Sequence, residues 1–183
     1  MKKSLLILAL SLSTTIFAGT CKYGVESSSL QWIAFKTPSK VAVKGTFDAV
    51  KLNATASTSM QGLLQSSNVH IITSNVNSSN EGRDAKLVKN FFDVQGVKTI
   101  DAKVLKTGDG TADVEISMNN IKKVITMKFD AGESTMMLSG TIDLADFNML
   151  PSLESITKAC YELHQGKTWQ DVDLEFTLNT SCK

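Results

Sequence analysis

Three sets of residues in this 183-residue chain have the types and spacing to do chemistry. Cys160 and His164 stand four positions apart, so a helix would turn them toward one another as a thiol–imidazole pair able to act as nucleophile and base. Arg83, the single arginine, sits beside Asp84 between the polar turn "NSSNEG" and Phe91-Phe92. Cys21, Cys160 and Cys182 are an odd set of thiols whose spacings fit no zinc pattern. No Gly-x-Ser-x-Gly elbow, phosphate loop or metal-binding histidine pair accompanies them, and the second histidine, His70, lies alone in a strand-like run. The plainer reading of the first set, a semi-buried cysteine and a helix-end histidine, is therefore preferred. The chain is read as having no enzymatic activity, no catalytic residue, no metal and no cofactor.

The bulk composition bounds the remaining classes. Lys2 and Lys3, the apolar run Leu5 to Leu12 and the small Ala18 form a secretory signal peptide over residues 1–18. Residues 19–183 then make a single domain of about 165 residues, enough to bury a core. Without Lys2 and Lys3 the 19 basic residues become 17 against 18 acidic ones, a net charge of −1. No basic block remains, which argues against a nucleic-acid partner. No later stretch is long and apolar enough for a transmembrane segment. The expected location is the periplasm, reached through the signal peptide, with secretion as the other outcome of export.

Period-two alternation dominates what must position these residues. Ala112, Val114, Ile116 and Met118 alternate with polar residues, as do Ile125, Met127 and Phe129, and Val172, Leu174, Phe176 and Leu178. Such runs form antiparallel strands with one buried face. "TGDG" at 107–110 and "DAGES" at 130–134 mark hairpins, and Gly45 within 40–52 suggests a bend or bulge. Eight strands are expected, near 22–37, 40–52, 68–76, 97–107, 110–119, 122–130, 134–145 and 171–181. Residues 85–92 suit a helical turn or two, Pro151-Ser152 introduces a helix over 153–163, and 53–67 carries no clear signal. The expected fold is all-β: an eight-stranded antiparallel up-and-down barrel, lipocalin-like, with one or two short helices; a two-sheet sandwich is the rival.

Closing an eight-stranded meander lays the first strand antiparallel to the last. That places Cys21 beside Cys182, so a Cys21–Cys182 disulfide is expected, with Cys160 free. Of the methionines, Met118, Met127, Met136 and Met137 fall on the fifth to seventh strands, where flexible thioethers suit either a dry core or an apolar ligand. A barrel of this size is filled by its own side chains or holds one small ligand, and composition leaves the two open.

The order "LQWIAFKT" (30–37), "GTFD" (45–48), "VHIIT" and "SSNEGRDAKLVKNFFD" (78–93) resembles the YceI-like family of secreted bacterial proteins. "GTADVEISMNNIKKVI" (110–125), "TIDLADFNM" (141–149) and "TWQDVDLEFTL" (168–178) extend the resemblance over nearly the whole mature chain. It implies an elongated, lipocalin-like barrel closed at one end, with a long apolar tunnel. It also implies binding of a polyisoprenoid or other long-chain lipid or amphiphile in the periplasm, often as a homodimer. The chain departs from the family at Lys36, near where many members show a histidine, so a head-group contact through that histidine does not carry over. The cysteines, too, are not a general family feature.

With a tunnel assumed, strand parity selects a lining of Phe35, Phe47, Val114, Ile116, Met118, Met127, Phe129, Leu138 and Phe176. Phe91 and Phe92 close it, at least one ring pointing inward. Arg83 is read as a structural clamp on that lid, pairing with Asp84 or with backbone carbonyls. The function expected is a periplasmic carrier of a polyisoprenoid or fatty-acyl amphiphile. The alternatives are a structural or interaction barrel with a filled core and, far behind, a thiol-dependent hydrolase.

Overall fold

The computed structural model describes residues 21–182; the signal-peptide reading of 1–18 lies outside them. Ten antiparallel strands, not eight, form one curved sheet, a half-barrel, in the order β3-β4-β6-β7-β8-β9-β10-β1-β2-β5. They are β1 (Tyr23–Lys36), β2 (Val41–Phe47), β3 (Lys51–Asn53), β4 (Asn68–Ile72), β5 (Val76–Asn77), β6 (Thr99–Gly108), β7 (Thr111–Met118), β8 (Ile121–Ala131), β9 (Thr135–Asp143) and β10 (Thr168–Cys182). The higher count has a local cause, since two expected strands are each broken in two. β3 resumes after β2 and β5 after β4, and the pairs Phe47↔Val76 and Leu52↔Val69 are out of step by two residues. Ala49, with φ of 53°, and the Thr73–Asn75 turn take up the slack.

Alternation is kept where the sequence shows it. On β7, Ala112, Val114, Ile116 and Met118 are all buried, and on β8 the buried pair is Met127 and Phe129. The β7–β8 hairpin turns at Asn119 and Asn120, both with positive φ, the conformation that a tight two-residue hairpin turn demands. Gly45 forms no bulge: the β1–β2 register runs unbroken from Lys36↔Val41 to its last pair, Trp32↔Gly45. Its role is close approach: a Cβ there would lie 2.2 Å from the Trp32 ring. The missing side chain lets the indole lie over β2 and its Nε1 donate to the Thr46 carbonyl at 3.1 Å.

Four helices cover the ends: α1 (Met60–Gln65), α2 (Glu81–Leu87), α3 (Leu150–Ala159) and α4 (Tyr161–His164). The stretch without a sequence signal contains α1, capped by Ser59, whose hydroxyl accepts from the Gly62 N–H. Its Leu63 and Leu64 are wholly buried. α2 continues into a π-helical turn, Val88–Phe92. α3 starts three residues earlier than expected, with Pro151 in its first turn, where a missing N–H costs nothing. Cys21 and Cys182 form the expected disulfide, with Cα atoms 5.5 Å apart, and Cys160 is free and buried.

Candidate ligand-binding site

The inward strand faces do not fill the interior. Two adjoining cavities, about 510 Å³ and about 110 Å³, share Trp32, Phe47, Ile100, Met118, Ile142 and Leu174 as walls. Along β10 their order is plain. Thr168, Trp169 and Val172 line the wide cavity, Leu174 both, and Phe176 the narrow one. Leu178, next on the same face, is wholly buried and pairs with the equally buried Met136 of β9. The hollow therefore tapers from a wide end beside α2, α3 and α4 to a packed end beneath α1. Leu174 and Phe176 are only half-buried in the middle of a central strand, because they face this space instead of other side chains.

Ten of the eleven residues chosen from the sequence line the hollow. Phe35, Phe91 and Phe92 face the wide cavity, Phe47 and Met118 both, and Val114, Ile116, Met127, Leu138 and Phe176 the narrow one. Phe129 is a correction. It has the right strand parity but lies toward the packed end, buried among core side chains and outside both linings. Trp32, Ile142 and Leu174 went unchosen although they form the shared wall. Trp32 had a signal, since Leu30, Trp32 and Ala34 alternate, but Ile33 and Phe35 make the opposite face equally apolar.

The wide end is covered from two sides. Asn80 caps α2 by accepting from the Arg83 N–H at 2.8 Å. Arg83 and Asp84 do not pair with each other; both grip Ser78. The guanidinium donates from Nε to the Ser78 hydroxyl and from Nη2 to its carbonyl, each at 2.7 Å. Asp84 accepts from the Ser78 N–H at 2.9 Å and from its hydroxyl. The loop is thus fixed by charge-assisted bonds, which are stronger than neutral ones. Phe91 and Phe92 pack edge-on at 5.0 Å, and Phe92 meets Phe47 at 6.2 Å. From the other side, the buried Ser152 of α3 donates to Gln95 Oε1 at 2.9 Å, and Gln95 donates to the Asn148 carbonyl at 2.9 Å.

The thiol–imidazole pair is not assembled. Cys160 is 8 % exposed, and the His164 ring hydrogen-bonds through Nδ1 to Thr168 Oγ1 at 2.7 Å. Burial first, then the nearby Lys36 and Lys86 charges, hold the His164 imidazole below its usual range. His70 pairs with Asp101 at 2.6 Å on the outer surface. No group of three potential metal ligands occurs among the described residues, and no helix among them is long and apolar enough to cross a membrane.

The family model described as "YceI-like domain" matches residues 25–180. The chain belongs to the YceI-like family. Among solved structures, this YceI-like chain is similar to a polyisoprenoid-binding domain from Saccharophagus degradans, with TM-score 0.64 and 12 % identity over 90 % of this chain and 99 % of that one. It is also similar to BcnA of Burkholderia cenocepacia, with TM-score 0.56 and 12 % identity over 84 % and 96 % of the two chains. At such identity the likeness is one of fold. No curated protein matches the sequence.

Proposed function

We propose that this YceI-like protein holds one long-chain amphiphile, polyisoprenoid or fatty-acyl, in its tapering interior and carries it in the periplasm after export. The observation that carries this reading is the adjoining pair of apolar cavities, of about 510 Å³ and 110 Å³, inside a sheet whose far end is packed shut. The larger falls within the roughly 300–1,000 Å³ usual for small-molecule sites. Each methylene moved from water into it gains about 0.8 kcal/mol, before the costs of ordering the chain. The name of the Saccharophagus domain supports an isoprenoid as the first ligand to try. A filled-core interaction domain would leave no such hollow.

Mass spectrometry of an organic extract of the purified protein tests the reading. A long-chain species at near-stoichiometric amount is the expected result. An empty extract, with no thermal protection by added isoprenoid or fatty ligands, would overturn it.

A further inference from the structure

The wide end of the hollow is apolar in its walls and cationic at its rim. The cations are Lys36 from β1 and Arg83 and Lys86 from α2, with the His164 ring from α4 beside them, and among the described residues no aspartate or glutamate lines either cavity. The convergence follows from the fold. Lys36 pairs with Thr168 in the β1–β10 ladder, and Thr168 Oγ1 is bonded to His164 Nδ1 at 2.7 Å. Arg83 and Lys86 are three apart on α2, so one helix face presents both.

The cluster is also unneutralised. Lys36, Arg83 and Lys86 form no ion pair among the described residues, so no carboxylate there neutralises the three cations that line the wide cavity. Of the acids close in the chain, Asp84 is engaged by Ser78 and Asp171 by Lys40 at 2.6 Å, while Glu81 and Glu162 are exposed and line neither cavity. The Lys36 and Lys86 ammonium groups and Arg83 Nη1 have no protein partner among the described residues and remain as donors for a ligand. Like charges brought together beside a low-dielectric hollow repel, and an anion placed among them relieves that repulsion.

Resting on the amphiphile reading above, we infer that the rim formed by Lys36, Arg83, Lys86 and His164 selects amphiphiles with an oxyanion head, a phosphate or a carboxylate, over neutral-headed ones of the same chain. The tail supplies affinity along the apolar taper, and the head fixes which end enters last. Arg83 keeps two of its donors on Ser78, so it meets the head as a partly immobilised cation. Lys36 and Lys86 are the freer pair.

Matched ligands test this: farnesyl monophosphate against farnesol, palmitate against palmitamide, and inorganic phosphate alone, each titrated calorimetrically at low and high salt. The expected result is binding of the anionic member at least about tenfold tighter than the neutral one at low salt, narrowing as salt screens the rim. The double variant Lys36→Gln/Lys86→Gln should lose most of that ratio, read within the variant as the affinity for farnesyl monophosphate over farnesol and for palmitate over palmitamide. Equal affinity for the members of each pair, or an unchanged ratio in the double variant, would overturn the inference and leave the amphiphile reading standing. Failure of all four amphiphiles to bind would remove both. Inorganic phosphate binding as tightly as the phosphate-headed chain would show a free-oxyanion site and overturn the inference as stated.

Discussion

The two ends of the interior are built from the same kinds of strand and finish oppositely. At the packed end, Leu63 and Leu64 of α1 and Ala112, Met136 and Leu178 of the sheet belong to one apolar core, and all five are almost wholly removed from solvent. At the wide end the strands carry on past the core. There the cover is α2 with its π-helical turn, which meets β2 through the Phe92–Phe47 contact, and α3, which turns Leu153 and Ile156 toward the hollow that is left. The difference teaches where stability and function are separated along one barrel axis. Close packing of apolar groups at one end stabilises the fold, and its incompleteness at the other creates a space that a ligand can fill.

That comparison breaks most readily at the packed end. Leu64→Ala should lower the unfolding free energy by about 2–5 kcal/mol in urea titration, since it removes a fully buried side chain in a site with little room to collapse. The equivalent truncation at the wide end, Phe91→Ala, should cost much less stability yet reduce ligand retention in extracts. If Phe91→Ala proves as destabilising as Leu64→Ala, the two ends are not distinct. Removing the Cys21–Cys182 bridge by a double serine variant should cost about 2–5 kcal/mol, because the link closes a loop with a sequence separation of 161. That loss should appear in denaturation and leave the preference between ligands unaltered.

Gly45→Ala tests the wall shared by both cavities. The added methyl would press into the Trp32 ring, and overpacking of this kind costs about 1–3 kcal/mol. A lowered melting temperature with altered indole fluorescence is expected. Arg83→Ala removes two charge-assisted bonds to Ser78, for an expected loss of about 1–3 kcal/mol confined to the cover. Hydrogen exchange should accelerate over 78–92 and stay slow in β7 and β8.

The smallest effect is on pH dependence. His164 is held below its ordinary range in the folded protein, so protonation favours the unfolded chain. Its contribution is complete above the unfolded value of about 6.5 and is lost as pH falls through the lower folded value. His164→Gln should therefore flatten the stability profile below about pH 6.5 in denaturation series, with little change at pH 8.

Much of this architecture was legible in the chain because period two is a strong signal. Val114, Ile116, Met118 and Met127 could be assigned inward from alternation, and Cys21–Cys182 followed from the antiparallel pairing of the first strand with the last. Phe129 shows the limit of that reasoning, since parity selects a face of the sheet but not a position along the axis. The helix α1 was illegible for a different reason. Six residues of serine-rich context have little intrinsic tendency to be helical, and it is the burial of Leu63 and Leu64 that holds them. The break of the second and third strands into four pieces was equally hidden, because nothing in Asp48-Ala49-Val50 announces a two-residue register shift.

The sequence by itself determined the all-β antiparallel class, the inward faces of the central strands, the disulfide and membership of the YceI-like family. These depend on local alternation or on the order of the strands, and both are written linearly. Only the tertiary structure decided that the interior is hollow at one end and packed at the other, because volume is a property of all the strands together. It alone brought Lys36, Arg83, Lys86 and His164 to one rim. Those residues come from three elements with no common spacing, and what joins them is the β1–β10 ladder and the face of α2 turned toward the opening.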